Sequence, residues 1–441
     1  MALGGVYMTD TDGNIGRETS NLSEKVCGLL FDISGQTDFW TTGPGLEVAG
    51  IFKDNVVEFN TLAEAVEAGI AEYSELTNEN AATYLLNGVV YYHLKQHFNA
   101  IGGSGRLFVM FADCSTNWNA LVEMQNAAKG SIGQIGIWTE QSIWKQVDEA
   151  AESYQFALIP DINTVAASLA NDYHAPVSIL LCPNAAKVKT ADGTIDAVVW
   201  NKIPDIVKDS RYVSVLLSQA IDTNVQVMQR TLTSKTPVGT IGVALAELVK
   251  SNVAENIGWV QQHDVSTYFQ DIEFGFGDVT LSGDELVSTT NYASLSKAQL
   301  DELDDKGYIF LVRYAGLEGN VYFNGDQTCS DGDYRTISRN RVMNKSRRNV
   351  RTALLPYVNS PIKVDPATGH LSAAQIAIFT NLVTDVLQAM VDAEEISGIG
   401  NVVVPANQNI LQNDKLIISY TMVPMGNAKV IEVTEGFVLN Q

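Results

Sequence analysis

Glycine spacing is the first feature that could carry chemistry, because a glycine-rich loop can hold a nucleotide phosphate. A dinucleotide fingerprint needs G-x-G-x-x-G after a strand, at the start of a helix whose N–H groups bind the pyrophosphate. Gly130, Gly133 and Gly136 have a different spacing and precede a predicted strand, and the pattern that begins at Gly275 and Gly277 lacks its third glycine. The other phosphate loop, G-x-x-x-x-G-K-[ST], does not occur in the sequence. We interpret these glycines as turn residues.

Metal-ligating residues occur in two suggestive spacings. His93 and His97 lie four residues apart on a predicted helix and share one face, as a zinc-binding pair would. The glutamate of a metalloprotease motif does not follow His93, and the aromatic neighbours favour a packing surface. Asp10, Asp12 and Asn14 copy the first ligands of a calcium loop, but the glycine and the final glutamate of that loop are replaced. The sequence therefore predicts no metal site.

A nucleophilic serine or cysteine would need a histidine oriented beside it. The G-x-S-x-G elbow does not occur, and the chain has five histidines in 441 residues. Pairs of acidic residues are frequent throughout so acidic a chain and therefore carry no information. We predict no catalytic residue and no cofactor, and the alternative function that we weigh is a nucleotide-binding or hydrolytic α/β enzyme.

A basic segment is the first feature that stands out. From Arg335 to Arg351 the sequence RTISRNRVMNKSRRNVR contains seven basic residues and no acidic one. If the segment is helical, Arg341, Lys345 and Arg348 form one stripe at i, i+4 and i+7. The stripe could neutralise the protein's own acids or those of a neighbouring copy. It could equally be a docking face for an acidic partner, held by many weak ion pairs and later released.

The two ends of the chain are the second such feature. The sequence KVIEVTEGFVL, residues 429–439, alternates apolar and polar residues as a strand does. The first 25 or so residues are rich in Gly, Thr, Asn and Asp and are predicted to form an irregular arm. A strand at a chain end can pair within its own sheet or join the edge of a neighbour's sheet.

Composition and charge limit the classes of function. Charged residues make up 18% of the chain, against roughly 25% in an average soluble protein, which suggests that much of the surface faces other protein. The 28 basic and 51 acidic residues give a net charge of −23, so we expect neither nucleic acid nor an anionic membrane as a partner. The N-terminus lacks the pattern of a secretory signal and no apolar run is long enough to span a bilayer. With four widely spaced cysteines, these features predict a cytoplasmic protein with reduced thiols.

Apolar runs that alternate with amphipathic segments predict the elements of the first half. This alternation is typical of a mainly parallel sheet with helices on both faces, and so of an α/β fold. A polar, Gly- and Ser-rich stretch at 274–292 is interpreted as a separator, with a domain boundary near residues 250–290. The predicted strands are 106–112, 132–138, 156–160, 176–182 and 212–219, and the predicted helices are 64–73, 81–98, 119–128, 143–153, 164–172 and 239–251.

The second half is predicted to hold three helices, a strand-turn-strand at 308–325 and a terminal pair of β segments. The helices are expected at 297–306, through the basic segment, and at 373–393, the last of which begins after Ser372 as its N-cap. The β segments 416–423 and 429–439 are joined by PMGN, a turn sequence.

The C-terminal third resembles the C-terminal domain of contractile tail sheath proteins, which occur in myovirus-like phages and related contractile injection systems. The resemblance is carried by ISRNRVMNKSRRNVRTALLPYVNSPIKVDPATGHLS, residues 337–372, followed by the long helix and the two β segments. It covers residues 300–441, while the region before that is compatible with the variable outer domains of sheath subunits. The resemblance implies an α+β architecture overall, in which a second, sheath-type α/β domain carries terminal extension strands.

The resemblance also implies a mechanical function and no enzymatic activity. Sheath subunits polymerise as stacked hexameric rings around an inner tube, their terminal extensions add strands to neighbouring subunits, and contraction drives the tube through a target envelope. The implied partners are other copies, the inner tube protein, and baseplate and tail terminator proteins, with assembly in the bacterial host cytoplasm and no membrane insertion. The implied division of the chain is a linking arm at 1–25, an outer domain at 26–255, a sheath core at 256–425 and a linking strand at 426–441.

Two sets of residues receive roles from this resemblance. The candidate charges of the basic helix, which would face the tube or another subunit, are Arg339, Arg341, Lys345, Arg348 and Arg351. The candidate residues of the linking strands are Gly4, Val6, Val430, Ile431, Val433, Phe437 and Val438.

Overall fold

The structure of the 441-residue chain is a computed structural model. The described residues are 23–34, 55–70, 72, 88–148, 153–156, 158–183, 187–189, 195–197, 203–217, 238–269, 275–282, 285–317 and 319–438. We call residues 23–327 the sheet region and residues 333–438 the C-terminal module. The predicted arm at 1–25 lies almost wholly outside the described residues.

Strands dominate the sheet region and helices the C-terminal module. The strands are β1 (Cys27–Asp32), β2 (Val57–Thr61), β3 (Ser104–Ala112), β4 (Gln134–Trp138), β5 (Trp144–Asp148), β6 (Ser153–Phe156), β7 (Ser178–Cys182), β8 (Lys187–Lys189), β9 (Ile195–Ala197), β10 (Val213–Leu216), β11 (Gly275–Ser282), β12 (Glu285–Asn291), β13 (Tyr308–Ile309), β14 (Leu311–Val312), β15 (Tyr322–Phe323), β16 (Ile396–Val403) and β17 (Ser419–Pro424). The helices are α1 (Leu62–Glu67), α2 (Tyr91–Ala100), α3 (Ala120–Ala127), α4 (Ile159–Asn171), α5 (Ile241–Lys250), α6 (Lys297–Asp305), α7 (Ile337–Leu354), α8 (Ala373–Asp392) and α9 (Ile410–Asn413).

A seven-stranded sheet forms the centre of the sheet region, in the order β13-β10-β7-β4-β1-β3-β2. All its pairs are parallel except that of β2 with β3, so the prediction of a mainly parallel sheet is confirmed. The central strands are apolar on both faces because helices cover both. Leu29 and Phe31 of β1 contribute to one core, and Leu30 contributes to the other.

Helices α2 and α5 cover one face of the sheet, and α3 and α4 cover the other. Two glycines allow the close packing of α5. A Cβ atom on Gly136 of β4 would lie 2.6 Å from Leu245 of α5, and a Cβ on Gly242 would lie 2.3 Å from the carbonyl oxygen of His93. Gly136 and Gly242 are therefore packing residues. The interpretation as turn residues is wrong for Gly136, which lies within β4, and for Gly275 and Gly277, which lie within β11.

The C-terminal module has a smaller core of its own. Helices α7 and α8 pack together, and α8 lies on the antiparallel β16–β17 hairpin. The core includes Val342 of α7, Val383 and Leu387 of α8, and Ile396 of β16. As predicted, Ser372 caps α8, because its hydroxyl accepts from the N–H of Gln375.

The strand expected at 156–160 is wrong at its end, because α4 begins at Ile159. Three further local predictions are wrong because of a partner strand. The helix expected at 143–153 is replaced by β5 and β6, which join β8 and β9 in a separate four-stranded sheet. The polar stretch at 274–292 is not a separator but the β11–β12 hairpin. The strand β17 pairs with β16, which was not predicted, instead of with residues 429–439. In each case the partner strand determines the structure, and local periodicity does not reveal it.

The sheet crosses the boundary predicted at residue 255. Its edge strand, β13, pairs in parallel with β10, and the hydrogen bond from the N–H of Leu217 to the carbonyl of Ile309 extends that pairing. The chain thus returns to the first sheet after the β11–β12 hairpin, and the C-terminal module begins only at α7.

One helix of the described residues, α8, is as long and as apolar as a membrane span. Length and composition are weak indicators, because core helices of soluble proteins also meet them. Its Phe379, Val383, Leu387 and Met390 are buried against the rest of the chain.

Candidate functional site

The basic helix α7 lies across the amino ends of the parallel strands. Arg348 donates to the carbonyls of Ile132 and Pro176, each two residues before a strand, and forms an ion pair with Glu24, just before β1. Arg347 donates a hydrogen bond of 3.4 Å to the hydroxyl of Tyr212, the residue before β10. One helix therefore contacts the segments that lead into four neighbouring strands.

Arg341 is buried at the joint between α7 and α5, with 1% of its surface exposed. Its guanidinium donates to the carbonyls of Leu248 at 2.7 Å, Ser251 at 3.3 Å and Asn252 at 3.2 Å. These carbonyls lie at the C-terminus of α5, where the helix dipole favours a cation. Burial lowers the pKa of Arg341, and nearby carboxylates partly offset that effect.

Lys345 and Asp326 complete the polar contacts of α7. Lys345 forms a buried ion pair with Glu395, which lies between α8 and β16. At the start of α7, Asp326 accepts from the N–H of Ser338 at 2.9 Å and from the side-chain amide of Asn256. Burial raises the pKa of Asp326 to about 6. Among the charges in the described residues that sequence reasoning missed are Asp326, Glu24 and Glu395, and no spacing in the sequence marks them.

The predicted stripe of Arg341, Lys345 and Arg348 exists, but it faces the interior. All three side chains make their polar contacts within the chain. This agrees with the alternative in which the stripe neutralises the protein's own acids. Arg339 is half-buried and donates to the carbonyl of Asp333, and Arg351 is exposed. A tube-facing role for the basic helix stays a prediction, and in this conformation Arg351 is the predicted residue best placed for it.

The predicted C-terminal linking strand protrudes from the chain. Residues 425–438 belong to no strand, although the sequence alternates as a strand does. Lys429 forms an ion pair of 2.7 Å with Asp304, at the end of α6. Beyond it the predicted residues lie outside any core, with exposed fractions of 74% for Val430, 81% for Ile431, 81% for Val433, 109% for Phe437 and 88% for Val438. Gly4 and Val6 lie outside the described residues.

The β16–β17 hairpin offers edges on which such a segment could pair. Its two strands form a two-stranded sheet, so each strand has one edge without a partner strand in the described chain. An unpaired edge presents a row of N–H and C=O groups that can accept a further strand. Val403 and Val423 are about half-exposed on this hairpin.

The carboxyl ends of the parallel strands are where an α/β enzyme would bind its ligand. The residue placed there is Asp32 at the end of β1, 2% exposed. Its carboxylate accepts from the N–H groups of Ser34 and Cys114 at 3.0 Å, and from the side chains of Thr139 and Gln141 at 2.6 Å. The oxygens of Asp32 are thus occupied within the chain.

Other reactive groups of the sheet region are buried. Burial lowers the pKa of His93 to about 3 and that of His97 to about 4, which favours the neutral rings. Burial raises the pKa of the Cys27 thiol to about 12, so it carries little thiolate at neutral pH. The described residues contain no group of three or more His, Cys, Asp or Glu side chains that could hold a metal.

Solved structures of contractile particles share the overall fold. The helical sheath of the anti-feeding prophage (AFP) in its contracted state matches with 14% sequence identity and a TM-score of 0.54, over 99% of both chains. The PVC sheath complex of an extracellular contractile injection system, also contracted, matches with 10% identity and a TM-score of 0.55, over 99% of this chain and 98% of the other. A chain of the 6-fold symmetrised AFP baseplate matches with 12% identity and a TM-score of 0.53, over 100% of both chains.

Sequence profiles of one family cover most of the chain. The DUF2586 N-terminal domain matches residues 64–327, and the DUF2586 C-terminal domain matches residues 333–441. The two matches meet immediately before α7, at the start of the C-terminal module. No match is found among curated proteins. The chain therefore belongs to the DUF2586 family, and its fold is that of contractile sheath proteins.

Proposed function

We propose that the protein is the structural subunit of a contractile sheath, which polymerises as stacked hexameric rings around an inner tube. Contraction of the sheath would drive the tube through a target envelope. The observation that carries the proposal is the protruding segment 425–438 beside a hairpin with unpaired edges, in a chain with the fold of sheath proteins.

The terminal segment supports assembly because its apolar side chains have no place in the chain's own core. Burial of apolar surface stabilises by roughly 25 cal/mol per Å², so five exposed large side chains provide a driving force for association. A strand added to a neighbour's hairpin would bury them and pair both backbones. We assign linking roles to residues 426–441 and, by the same reasoning about chain ends, to the arm at 1–25.

Contraction requires subunits that move without unfolding. The hydrogen bonds of an added strand can be kept while whole subunits move as rigid bodies. Contraction needs no nucleotide hydrolysis as an energy source if the contracted lattice buries more surface than the extended one. The buried contacts of Arg341 and Arg348 would keep the sheet region and the C-terminal module together during that motion. In this proposal the sheet region faces outward and the C-terminal module lines the tube.

The partners that follow are further copies of the chain, the inner tube protein, and baseplate and tail terminator proteins. The particle would be a phage tail or an injection device assembled in the bacterial host cytoplasm. The acidic net charge of −23 favours neither nucleic acid nor an anionic membrane as a partner.

Electron microscopy tests the proposal directly. The purified protein, alone and co-expressed with an inner tube protein from the same genome, should form hollow, helically striated tubes. Small monodisperse particles in both samples would contradict the sheath function.

A matched pair of variants then tests the linking segment. Val433→Asp with Phe437→Asp should leave a folded monomer that forms no tubes, because charged residues cannot be buried on a neighbour's hairpin. Leu317→Asp changes an apolar residue that is 41% exposed in the sheet region, and it should assemble as the wild type does. Normal tubes from the double variant would refute the linking role while leaving the sheath function in place.

A further inference from the structure

A polar pocket lies where three helices end. Its walls come from the end of α3, the turn after α4 and the last turns of α7, and its volume is about 360 Å³. It adjoins the amino ends of β4 and β7, close to the contacts of Arg348. Two residues of the basic helix, Arg348 and Arg351, line this pocket, and its other walls have no role so far.

The lining of the pocket is basic. Lys129, His174, Arg348 and Arg351 all line it, and the lining includes no carboxylate. The charge of Arg348 is balanced by Glu24. Lys129 and Arg351 are exposed and have no ion pair within the described residues. Two uncompensated cations therefore share a concave site in a protein whose net charge is −23.

Helix capping does not account for these cations. Basic residues often follow a helix because its last carbonyls attract them. Here backbone N–H groups already satisfy those carbonyls: Gly130 donates to Gln125 at 2.8 Å, Lys129 donates to Asn126 at 3.0 Å, and Ala175 donates to Leu169 at 2.9 Å. The side chain of Lys129 consequently remains available for a ligand. The side chain of Arg351, in the last turn of α7, makes no hydrogen bond within the described residues and is available as well.

The walls of the pocket are fixed in place before any ligand binds. Gln125, 1% exposed, donates its side-chain amide to the carbonyls of Ile132 at 2.8 Å and Ala175 at 3.2 Å, which connects two of the walls. Lys129 and His174 each have a φ of 54°, a left-handed conformation that is uncommon outside glycine. A fixed site loses less conformational entropy on binding than a mobile one.

We infer that this pocket binds carboxylate side chains of a second copy of the chain. Carboxylates match paired cations in charge and geometry. The chain carries 51 acidic residues against 28 basic ones, so a neighbouring copy presents many carboxylates. Among them are the exposed Asp331 and Asp333, which form no ion pair within the described residues. In a polymer, neighbouring copies are present at the highest local concentration. The inference rests on the proposed sheath function and adds an electrostatic contact to the linking strands.

Charge reversal in the purified protein tests the inference. Lys129→Glu with Arg351→Glu should raise the critical concentration for polymerisation roughly tenfold, the effect expected when two exposed ion pairs become repulsions. Lys129→Gln with Arg351→Gln should give a smaller increase and a weaker dependence on salt, because screening acts on the pairs that are lost. The control is Lys208→Glu with Lys363→Glu, which changes the net charge equally at exposed lysines outside the pocket.

The outcomes separate the inference from the function on which it rests. A wild-type protein that never polymerises contradicts both. If the wild type polymerises and the pocket variant, with an unchanged circular dichroism spectrum, polymerises equally well at low and high salt, the pocket does not bind a second copy. A pocket variant that polymerises normally alone but fails to assemble on the tube also overturns the inference, because the occupant is then another protein.

Discussion

The sheet region and the C-terminal module differ in how much apolar surface they leave exposed to solvent. In β1 all six residues are buried, and helices cover both faces of the seven-stranded sheet. In the described residues, thirteen of the eighteen exposed large apolar side chains lie after residue 354. The sheet region therefore completes its own core, whereas the module leaves apolar surface for other chains to cover.

This difference separates folding from assembly. Substitutions in the core of the sheet region should change the free energy of unfolding, and substitutions of the module's exposed apolar side chains should change polymerisation instead. Helix α7 connects the two, because it contacts the amino ends of the sheet through Arg348 and the hairpin through Lys345.

Acid should unfold the sheet region through its two buried histidines. The pKa values of His93 and His97, about 3 and about 4, lie below the 6.5 of an exposed histidine, so the unfolded chain binds more protons. The stability that this contributes is present above pH 6.5 and is lost as the pH falls towards 4, at a cost on the order of 5 kcal/mol. Asp326 has the opposite effect on stability, because its raised pKa means that the folded chain holds a proton between pH 4 and 6 that the unfolded chain has lost. This single group offsets only part of the effect of the two histidines.

Denaturation monitored by tryptophan fluorescence at pH 7, 5.5 and 4 measures this effect. All six tryptophans precede residue 260, so the signal reports on the sheet region. His97→Gln should flatten the dependence on pH, and His174→Gln, at an exposed turn, is the control. An unchanged slope in the first variant would show that His97 does not control acid unfolding.

Removal of Arg341 should have the next largest effect, because it breaks the connection between the regions. Arg341→Ala removes a donor from each of the carbonyls of Leu248, Ser251 and Asn252. The carbonyl of Ser251 then has no donor within the described residues, whereas those of Leu248 and Asn252 keep the Ser251 hydroxyl and the Glu255 N–H, and we expect a loss of about 3 kcal/mol. Arg351→Ala, on the exposed side of the same helix, should change the stability by less than about 0.5 kcal/mol. Urea denaturation of both variants provides the comparison, and equal losses would contradict the inward assignment of the stripe.

Sequence reasoning succeeded where a pattern is local and failed where partners are distant. The parallel sheet, α6 and α8 with its Ser372 cap follow from periodicity and capping. The stripe of α7 was identified from its spacing, but spacing does not indicate which face is buried, because Glu24, Glu395 and the end of α5 lie far away in the sequence. The β16–β17 pairing was missed for the same reason, since the glycine-containing sequence of β16 is a weak strand signal.

The smallest effect is expected at the ion pair between Lys429 and Asp304, the base of the protruding segment. Lys429 is about half-exposed, so Lys429→Gln should lower the stability by less than about 1 kcal/mol, as should the control Lys415→Gln on the module's surface. Only Lys429→Gln should speed proteolytic cleavage within 430–438, because that segment then has more freedom to leave the body. A loss of several kcal/mol from Lys429→Gln would instead mean that the segment belongs to the folded core of its own chain. The contrast between a self-sufficient sheet region and an incomplete module would then be wrong.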